Sequence, residues 1–122
     1  LYNNATFDSA KLIGHAIDSM ALHHDGRVAT LSLTLQDLQR GNPEATVNYG
    51  LLVRDVEVAV LFKEDSTDHY RISLRSREDV DVSAIAHIFG GGGHSLAAGC
   101  EQEGSLEEVR SRIVAAIEPV LP

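Results

Sequence analysis

The sequence has 122 residues and a formal net charge of -8, with 43% hydrophobic and 23% charged residues. These values are ordinary for one folded domain, and the acidic balance excludes a broad attraction to a nucleic-acid backbone, so any phosphate site must be small and local. The absence of tryptophan disfavours a base-stacking surface, and the single cysteine, Cys100, excludes an internal disulfide and a cysteine-based zinc site.

The cysteine usage is typical of a reducing compartment, and no apolar run in the sequence approaches the length that spans a bilayer. We therefore expect a cytoplasmic location and no membrane partner. The chain begins with Leu1 rather than with methionine, which suggests that it was cut from a longer protein.

Taken in chain order, the apolar spacing changes between helical and strand-like patterns. Helical spacing or a capping pattern predicts helices at about 9–22, 36–40, 44–54, 82–89 and from 106 onwards. Alternation or a continuous apolar run predicts strands at 28–35, 56–62, 70–75 and, at a sheet edge, 100–103. The polar run 63–68 predicts a turn that joins 56–62 and 70–75 as an antiparallel hairpin. The predicted fold is α/β: a single compact domain with a mixed β-sheet, helices packed on it and a glycine-rich loop between two helices, the second beginning at about 95–98.

Three positions carry side chains that typically begin helices. Thr6 or Asp8 is the predicted N-cap of the first helix, and Asp81 is the predicted N-cap of the helix that leads into a run of glycines. Ser105 and Glu108 have the spacing of a capping box at the start of the last helix.

Four consecutive glycines, Gly90–Gly93, directly follow the helix pattern that begins after Asp81. Because glycines have no side chain to pack and lose much backbone entropy on folding, this run indicates positive φ angles or close approach of the backbone to a ligand. Glycine amides in a concave arrangement bind anions such as phosphate, and His94 adds a further hydrogen-bonding group. The alternative is a flexible linker, and the apolar helix pattern before the glycines argues against it.

A guanidinium from elsewhere in the chain would complete such a phosphate site. Arg75 and Ser76 stand at the end of a predicted strand, where Arg can bind phosphate through two hydrogen bonds and Ser can add a hydroxyl donor. The alternative for Arg75 is a solvated arginine on an exposed strand face. The glycine spacing matches neither the dinucleotide fingerprint nor the P-loop, so we expect neither a dinucleotide nor an NTP with magnesium.

The remaining polar residues give no case for catalysis or for a metal in this chain. His23, His24 and Asp25 are adjacent, but the following Gly26 makes a turn signal, and we interpret the group as a solvated turn. No Ser/His/Asp or Cys/His set is indicated. The sequence therefore predicts binding rather than chemistry.

The stretch Phe-Gly-Gly-Gly-Gly-His-Ser-Leu-Ala-Ala-Gly at 89–99 resembles the glycine–histidine motif of the DHH-associated domain. That domain is the C-terminal substrate-binding domain of the DHH phosphoesterase superfamily. Ser-Leu-Arg-Ser at 73–76 is similar to the family's strand end, and 79–86 is similar to its helix before the glycines. The segments 47–49 and 56–62 resemble the branch of nanoRNases and pAp phosphatases, which degrade short RNA oligonucleotides and remove phosphate from 3′-phosphoadenosine 5′-phosphate (pAp). The resemblance covers about 27–118.

This resemblance implies a phosphate clamp of six residues: Gly91, Gly92, Gly93, His94, Arg75 and Ser76. It also implies a separate N-terminal DHH domain that holds two manganese ions and performs the hydrolysis. No cofactor is then expected in this chain. Residues 1–26 would be a linker helix from the absent catalytic domain, and residues 27–122 would be the DHH-associated substrate-binding domain.

The sequence therefore predicts the substrate-binding domain of a manganese-dependent phosphoesterase that degrades short RNA oligonucleotides or pAp, inactive as an isolated chain. Its expected partners are a short RNA or DNA oligonucleotide or pAp and its own N-terminal DHH domain, and its oligomeric state stays open. One alternative is a non-catalytic module that senses a phosphate ligand or a nucleotide. Others are the binding half of a RecJ-like, cyclic-dinucleotide or exopolyphosphatase relative, and an interaction domain with a disused loop.

Overall fold

The structure, a computed structural model, describes residues 6–122. Over this range the chain forms five α-helices: α1 (Phe7–Asp18), α2 (Leu35–Leu38), α3 (Asn48–Leu51), α4 (Val82–Ile88) and α5 (Leu106–Ile117). The same residues form six strands: β1 (Ala21–His23), β2 (Val28–Leu33), β3 (Val58–Ser66), β4 (His69–Ser76), β5 (Gly92–His94) and β6 (Ala97–Glu103). Within the range, 3₁₀ helices cover Glu44–Val47 and Glu118–Val120.

The strands form one mixed sheet in the order β1-β2-β3-β4-β6-β5. The β2 and β3 strands are parallel, and each other neighbouring pair is antiparallel. The parallel pair is connected through α2, the first 3₁₀ helix and α3, whereas β3 and β4 form a hairpin with a turn at 67–68. The predicted α/β fold with a mixed sheet and packed helices is confirmed.

The sheet buries apolar side chains on both faces. On one face α4 and α5 pack against β3, β4 and β6, with Phe62, Ile72 and Ile113 in the core. On the other face α1 and the first 3₁₀ helix pack around Leu31 and Leu61 of β2 and β3. Because β3 is covered on both faces, its first five residues form the continuous apolar run that the sequence shows.

Helices cover only half of the second face. There α1, α2 and α3 lie over β2 and β3, and β4, β6 and β5 extend beyond them. We call this uncovered side of β4, β6 and β5 the open face. Its side chains are charged or small rather than large and apolar: Arg71, Ser73, Arg75, Ala97, Gly99 and Glu101.

The predicted helix starts are confirmed by hydrogen bonds. The Thr6 side chain accepts a hydrogen bond from the backbone N–H of Ser9, 3.0 Å away, at the start of α1. Asp81 caps α4 through its carboxylate, and Ser105 and Glu108 form both hydrogen bonds of the capping box of α5.

Three local predictions were wrong. The first helix ends at Asp18, and part of its predicted C-terminal end forms β1. The helix predicted at 95–98 does not form, because residues 95–96 are the turn between β5 and β6, so the glycines lead into a strand instead of lying between two helices. The strand predicted at an edge is β6, which lies between β4 and β5. Its pairing partners are distant in sequence, so the local pattern does not show them.

The predicted linker includes residues 1–5, which lie outside the described residues. Leu12 and Ala16 of α1 are buried in the second core, beside Leu31. The connection of 1–26 to a catalytic domain stays a prediction. Among the described helices, none combines the length and the apolar character needed to cross a membrane.

Candidate functional site

A cleft of about 650 Å³ opens on the open face. Its floor is formed by β4 and β6, one wall by the start of the first 3₁₀ helix and by β3, and the other wall by the segment Phe89–Gly93. The charged and hydroxyl side chains that line it are Glu44, Lys63, Arg71, Ser73, Arg75 and Glu101.

The structure brings most of the predicted site residues to this cleft. Those that line it are Gly91, Gly92, Gly93 and Arg75. His94 is not among the residues that line the cleft; it is exposed on β5 beside it, where it is paired with Ala97, and Ala97 is paired with Arg75 of β4. Because paired residues on neighbouring strands point to the same face, the imidazole and the guanidinium emerge on one side of the sheet, from backbones about 10 Å apart.

The next row of paired residues has little side-chain bulk. Gly92 of β5 is paired with Gly99 of β6, and Gly99 is paired with Ser73 of β4. Two glycines and a serine leave the sheet surface bare along this row. The small residues at 97–99 therefore form the floor of a groove.

The glycines of this segment allow its backbone to pack directly on β6. A Cβ atom on Gly91 would lie 2.0 Å from the carbonyl oxygen of Gly99. A Cβ atom on Gly93 would lie 2.6 Å from the Cα atom of Ala98, and Gly93 also has a φ of 145°. In contrast, nothing lies within 4 Å of a Cβ atom on Gly92.

Two of the glycine amides expected in a concave anion site are engaged within the chain instead. The Gly91 N–H donates to the carbonyl oxygen of Ala86 at 2.9 Å, and the Gly90 N–H donates to that of His87 at 3.1 Å. These bonds close the C-terminus of α4, with Gly90 at a φ of 83° as the left-handed residue that ends it. The last backbone carbonyl groups of α4 need hydrogen-bond donors, and the N–H groups of Gly90 and Gly91 supply them. Gly91 is therefore not free to donate its amide to an anion.

Glu44 lies at the centre of a polar network in the cleft. Its Oε2 accepts a hydrogen bond from Lys63 Nζ, and its Oε1 accepts one from Ser73 Oγ at 3.0 Å. The Nη2 atom of Arg75 lies 3.8 Å from the same Oε1. The Nη1 atom of Arg75 donates to the carbonyl oxygen of Leu74 at 3.0 Å, which holds the guanidinium over β4.

The pair of Glu44 and Lys63 is buried unequally. Only 6% of the Lys63 side chain is exposed, against 45% for Glu44. Burial acts to raise the pKa of Glu44, but the hydrogen bond and charge of Lys63, the hydrogen bond from Ser73 and the charge of Arg75 outweigh it, so the pKa lies below its ordinary value. A carboxylate facing the cleft thus neutralises a buried ammonium group.

Ser76 is not brought to the cleft. Successive strand residues point to opposite faces, so Ser73 and Arg75 share the open face while Ser76 points to the other side. Ser76 is buried, its Oγ has no hydrogen-bond partner among the described residues, and its N–H donates to Leu96 O at 3.0 Å. Ser73 takes the place in the cleft that was expected for Ser76.

Three residues of the cleft were not predicted from the sequence: Glu44, Lys63 and Ser73. The two-residue period that predicted the strand also indicates Ser73 rather than Ser76 as the companion of Arg75. Lys63 was placed in a polar turn, but β3 continues to residue 66 and holds Lys63 inside the sheet. Glu44 gave no signal, because its partners lie on other strands.

The lining of the cleft offers cations and hydrogen-bond donors. Arg71 and Arg75 carry guanidinium groups, which bind anions through paired hydrogen bonds. Cys100 also lines the cleft, but burial raises the pKa of its thiol to about 11, so the thiol is protonated and unreactive at neutral pH. These groups suit the binding of an anion.

Among residues 6–122, one group of three side chains has the spacing of metal ligands: Asp65, His69 and Glu101. The His69 Nδ1 atom is hydrogen-bonded to Asp65, and its Nε2 atom lies 3.5 Å from Glu101 Oε1. The hydrogen bond with Asp65 raises the pKa of His69, with the nearby carboxylate charges adding to it. The hydrogen bond from His69 to Asp65 and its proximity to Glu101 account for this group without an ion.

The cleft on this half-covered α/β sheet, beside a glycine segment, is lined by arginine side chains of the type that suits an anionic ligand. A family model described as the DHHA1 domain matches residues 26–121. The chain therefore belongs to the DHHA1 domain family, near its nanoRNase and pAp-phosphatase members, and the resemblance seen in the sequence is confirmed.

Relatives and solved structures support this assignment. The bifunctional oligoribonuclease and PAP phosphatase NrnA of Thermus thermophilus is 32% identical over 114 residues, which are 91% of this chain and 34% of the relative. The structure of an exopolyphosphatase-related protein from Bacteroides fragilis is 28% identical, with a TM-score of 0.83 over 97% of this chain and 37% of that one. A pGpG-specific phosphodiesterase, PggH of Vibrio cholerae, shares the fold at 13% identity, with a TM-score of 0.68 over 93% of this chain and 40% of that one. The chain thus spans about a third of the length of the Thermus relative.

Proposed function

We propose that this chain is the substrate-binding domain of a manganese-dependent DHH phosphoesterase and that its cleft binds a phosphate group of a short RNA oligonucleotide or of pAp. The observation that carries the proposal is the row of His94, Ala97 and Arg75, which places two phosphate-binding types of side chain on one open face. The description of the Thermus relative as an oligoribonuclease and PAP phosphatase supports this substrate class. A cytoplasmic location belongs to the same proposal.

In the proposed complex the phosphate lies over Ala97, between Arg75 and His94. The guanidinium donates two hydrogen bonds to phosphate oxygens, and the imidazole donates a third. The small side chain of Ala97 leaves room for the anion, and the bare row at Gly99 leaves room for the adjoining sugar. The glycine wall and the Glu44 wall then bound the ligand on its two sides.

The cleft residues do not fit a manganese ion. Manganese prefers carboxylate, carbonyl and water ligands, with imidazole as a further option. Around Glu44 the cleft instead holds the cations Lys63 and Arg75. The Glu44 carboxylate is already engaged by both of them. In the proposal the metal belongs to a separate DHH domain that performs the hydrolysis, and this domain holds the substrate.

A binding titration of this chain tests the proposal. The ligands are the RNA dinucleotide ApA, pAp and inorganic phosphate, and the variants are Arg75→Ala and His94→Ala. The matched controls are Arg54→Ala and His87→Ala, which change exposed residues of the same types outside the cleft. Binding is followed by calorimetry and by backbone chemical shifts.

We expect Arg75→Ala to weaken ApA and pAp by about 1.5–3 kcal/mol, or roughly tenfold or more, because a hydrogen-bonded charge is removed. We expect His94→Ala to weaken them by about 0.5–1.5 kcal/mol, the worth of a single hydrogen bond. Equal effects of Arg75→Ala and Arg54→Ala would contradict the proposal. Equal affinity for ApA, pAp and inorganic phosphate would instead favour a phosphate-sensing module.

A further inference from the structure

The inner end of the cleft carries a small net positive charge. The inner cleft is formed by Glu44, Lys63, Ser73 and Arg75, which contact one another through the Glu44 carboxylate. Two cations and one carboxylate leave one unit of positive charge there. The Arg75 guanidinium carries it, since Lys63 is buried and hydrogen-bonded to Glu44.

The outer part of the cleft adds no net charge. Arg71 of β4 and Glu101 of β6 are directly paired across the two strands, and both line the cleft. The formal charges of these two residues cancel, and Glu101 also lies 3.5 Å from His69 Nε2. Of the two guanidinium groups in the cleft lining, Arg75 lies beside a carboxylate, because its Nη2 atom is 3.8 Å from Glu44 Oε1, and the same carboxylate also binds Lys63.

We propose that Glu44 is a specificity-determining residue that limits the inner cleft to a single phosphate, so that the cleft selects a phosphodiester between two sugars over a polyphosphate chain. This inference rests on the proposed function of the cleft. It assigns to Glu44 a role in ligand choice beyond the neutralisation of Lys63.

The physical basis is the position of the carboxylate beside the anion site. Glu44 Oε1 lies 3.8 Å from Arg75 Nη2, so any further negative charge next to a phosphate bound by Arg75 stands close to a carboxylate, and like charges repel in a partly desolvated site. A sugar hydroxyl at the same place has a proton to donate, and the Glu44 carboxylate, 45% exposed, can accept it. Negative charge is therefore disfavoured next to the bound phosphate, and a sugar is favoured.

The test compares ApA, which has one phosphodiester, with tripolyphosphate by calorimetry at pH 6. The variants are Glu44→Gln, Lys63→Met and the double variant Glu44→Gln/Lys63→Met. The matched control is Glu107→Gln, which removes one negative charge from an exposed position outside the cleft.

We expect Glu44→Gln to bind tripolyphosphate about tenfold more tightly while its affinity for ApA changes by less than about threefold, because a charge effect grows with the charge of the ligand. The double variant restores one unit of positive charge and should return to the wild-type ratio of the two affinities. Lys63→Met, which keeps Glu44, should weaken tripolyphosphate about tenfold and ApA less. It carries the test alone if Glu44→Gln does not fold.

The outcomes separate this inference from the proposed function. If ApA binding is absent, or if it is insensitive to Arg75→Ala, the proposed function fails and the role of Glu44 fails with it. If ApA binds through Arg75 but the ratio of affinities does not change in the Glu44 and Lys63 variants, only the inference is overturned. An equal change in Glu107→Gln would show an effect of overall charge and would also overturn it.

Discussion

The Lys63 ammonium, inside the sheet, donates a hydrogen bond to the Glu44 carboxylate, which stands in the wall of the cleft. The pair is asymmetric, because Lys63 has lost nearly all its contact with water and Glu44 has kept about half. Removing the carboxylate leaves a buried charge without a partner, whereas removing the ammonium leaves a carboxylate that water can reach. The two residues therefore differ in what they contribute to stability.

We expect Glu44→Ala to lower the free energy of unfolding by about 3 kcal/mol, the lower end for breaking a buried ion pair. Lys63→Met should lower it by less than about 1.5 kcal/mol, because the methionine packs in the place of the lysine stem. Urea unfolding measures both. A larger loss in Lys63→Met than in Glu44→Ala would contradict this account.

The same network makes stability depend on pH in the acid range. The pKa of Glu44 is lower in the folded chain than its ordinary value of 4.5, so its contribution is fully present above pH 4.5 and is lost as the pH falls through the lowered value. Glu44→Gln should therefore show a shallower loss of stability below pH 4.5 than the wild type. Unfolding curves between pH 3 and pH 6 test this, with Glu107→Gln as the control that keeps the wild-type slope.

Gly91 and Gly92 provide a matched pair for the close contact with β6. Gly91→Ala should lower stability by about 3 kcal/mol or more, since its Cβ atom would lie 2.0 Å from a backbone oxygen that cannot move away alone. Gly92→Ala, next in the chain, should change stability by less than about 1 kcal/mol, because no atom lies within 4 Å. Similar urea midpoints for the two variants would be inconsistent with this packing.

Ser73 and Ser76 separate the two faces of β4. Ser76→Ala should leave the affinity for ApA unchanged and raise stability by up to about 1 kcal/mol, because it removes a buried hydroxyl without a partner in the described chain. Ser73→Ala should lower stability by about 1 kcal/mol, because Glu44 loses a hydrogen bond. If Ser76→Ala weakened ApA binding and Ser73→Ala did not, the result would support the phosphate site of Arg75 and Ser76 that the sequence predicted.

His69 gives a second dependence on pH, with the opposite sign. Its pKa is raised above 6.5, mainly by the hydrogen bond with Asp65, so its contribution to stability is fully present below pH 6.5 and is lost as the pH rises through the raised value. His69→Gln should flatten the change in stability above pH 6.5, and His87→Gln should not. Thermal unfolding between pH 5.5 and pH 8.5 measures the difference.

The elements that the sequence predicted correctly are those that local interactions specify. The capping box of Ser105 and Glu108 is complete within four residues, and the hairpin of β3 and β4 is closed by a short turn. The glycine–histidine motif likewise identified the family from adjacent residues. The helix predicted at 95–98 was wrong, because the mostly small residues at 95–99 are compatible with both a helix and a tight hairpin.

The candidate site divides in the same way. Arg75, His94 and the glycines could be predicted from their residue types. Arginine and histidine side chains can bind phosphate, and glycine lets the backbone approach a neighbour closely. The two-residue period of a strand is enough to predict that Ser73, rather than Ser76, shares a face with Arg75. Glu44 could not be predicted, since nothing within ten residues of it indicates a buried lysine.

By itself, the sequence determined the fold class, the family and the side-chain types of an anion site, because periodicity, capping and motif spacing act over a few residues. Only the tertiary structure decided that His94, Ala97 and Arg75 lie in one row and that Glu44 holds Lys63 in the wall of the cleft. Both arrangements depend on strand order and register, and β6 reaches its place between β4 and β5 through pairing between distant segments. Such pairing is selected by the burial of a whole sheet face rather than by any local pattern.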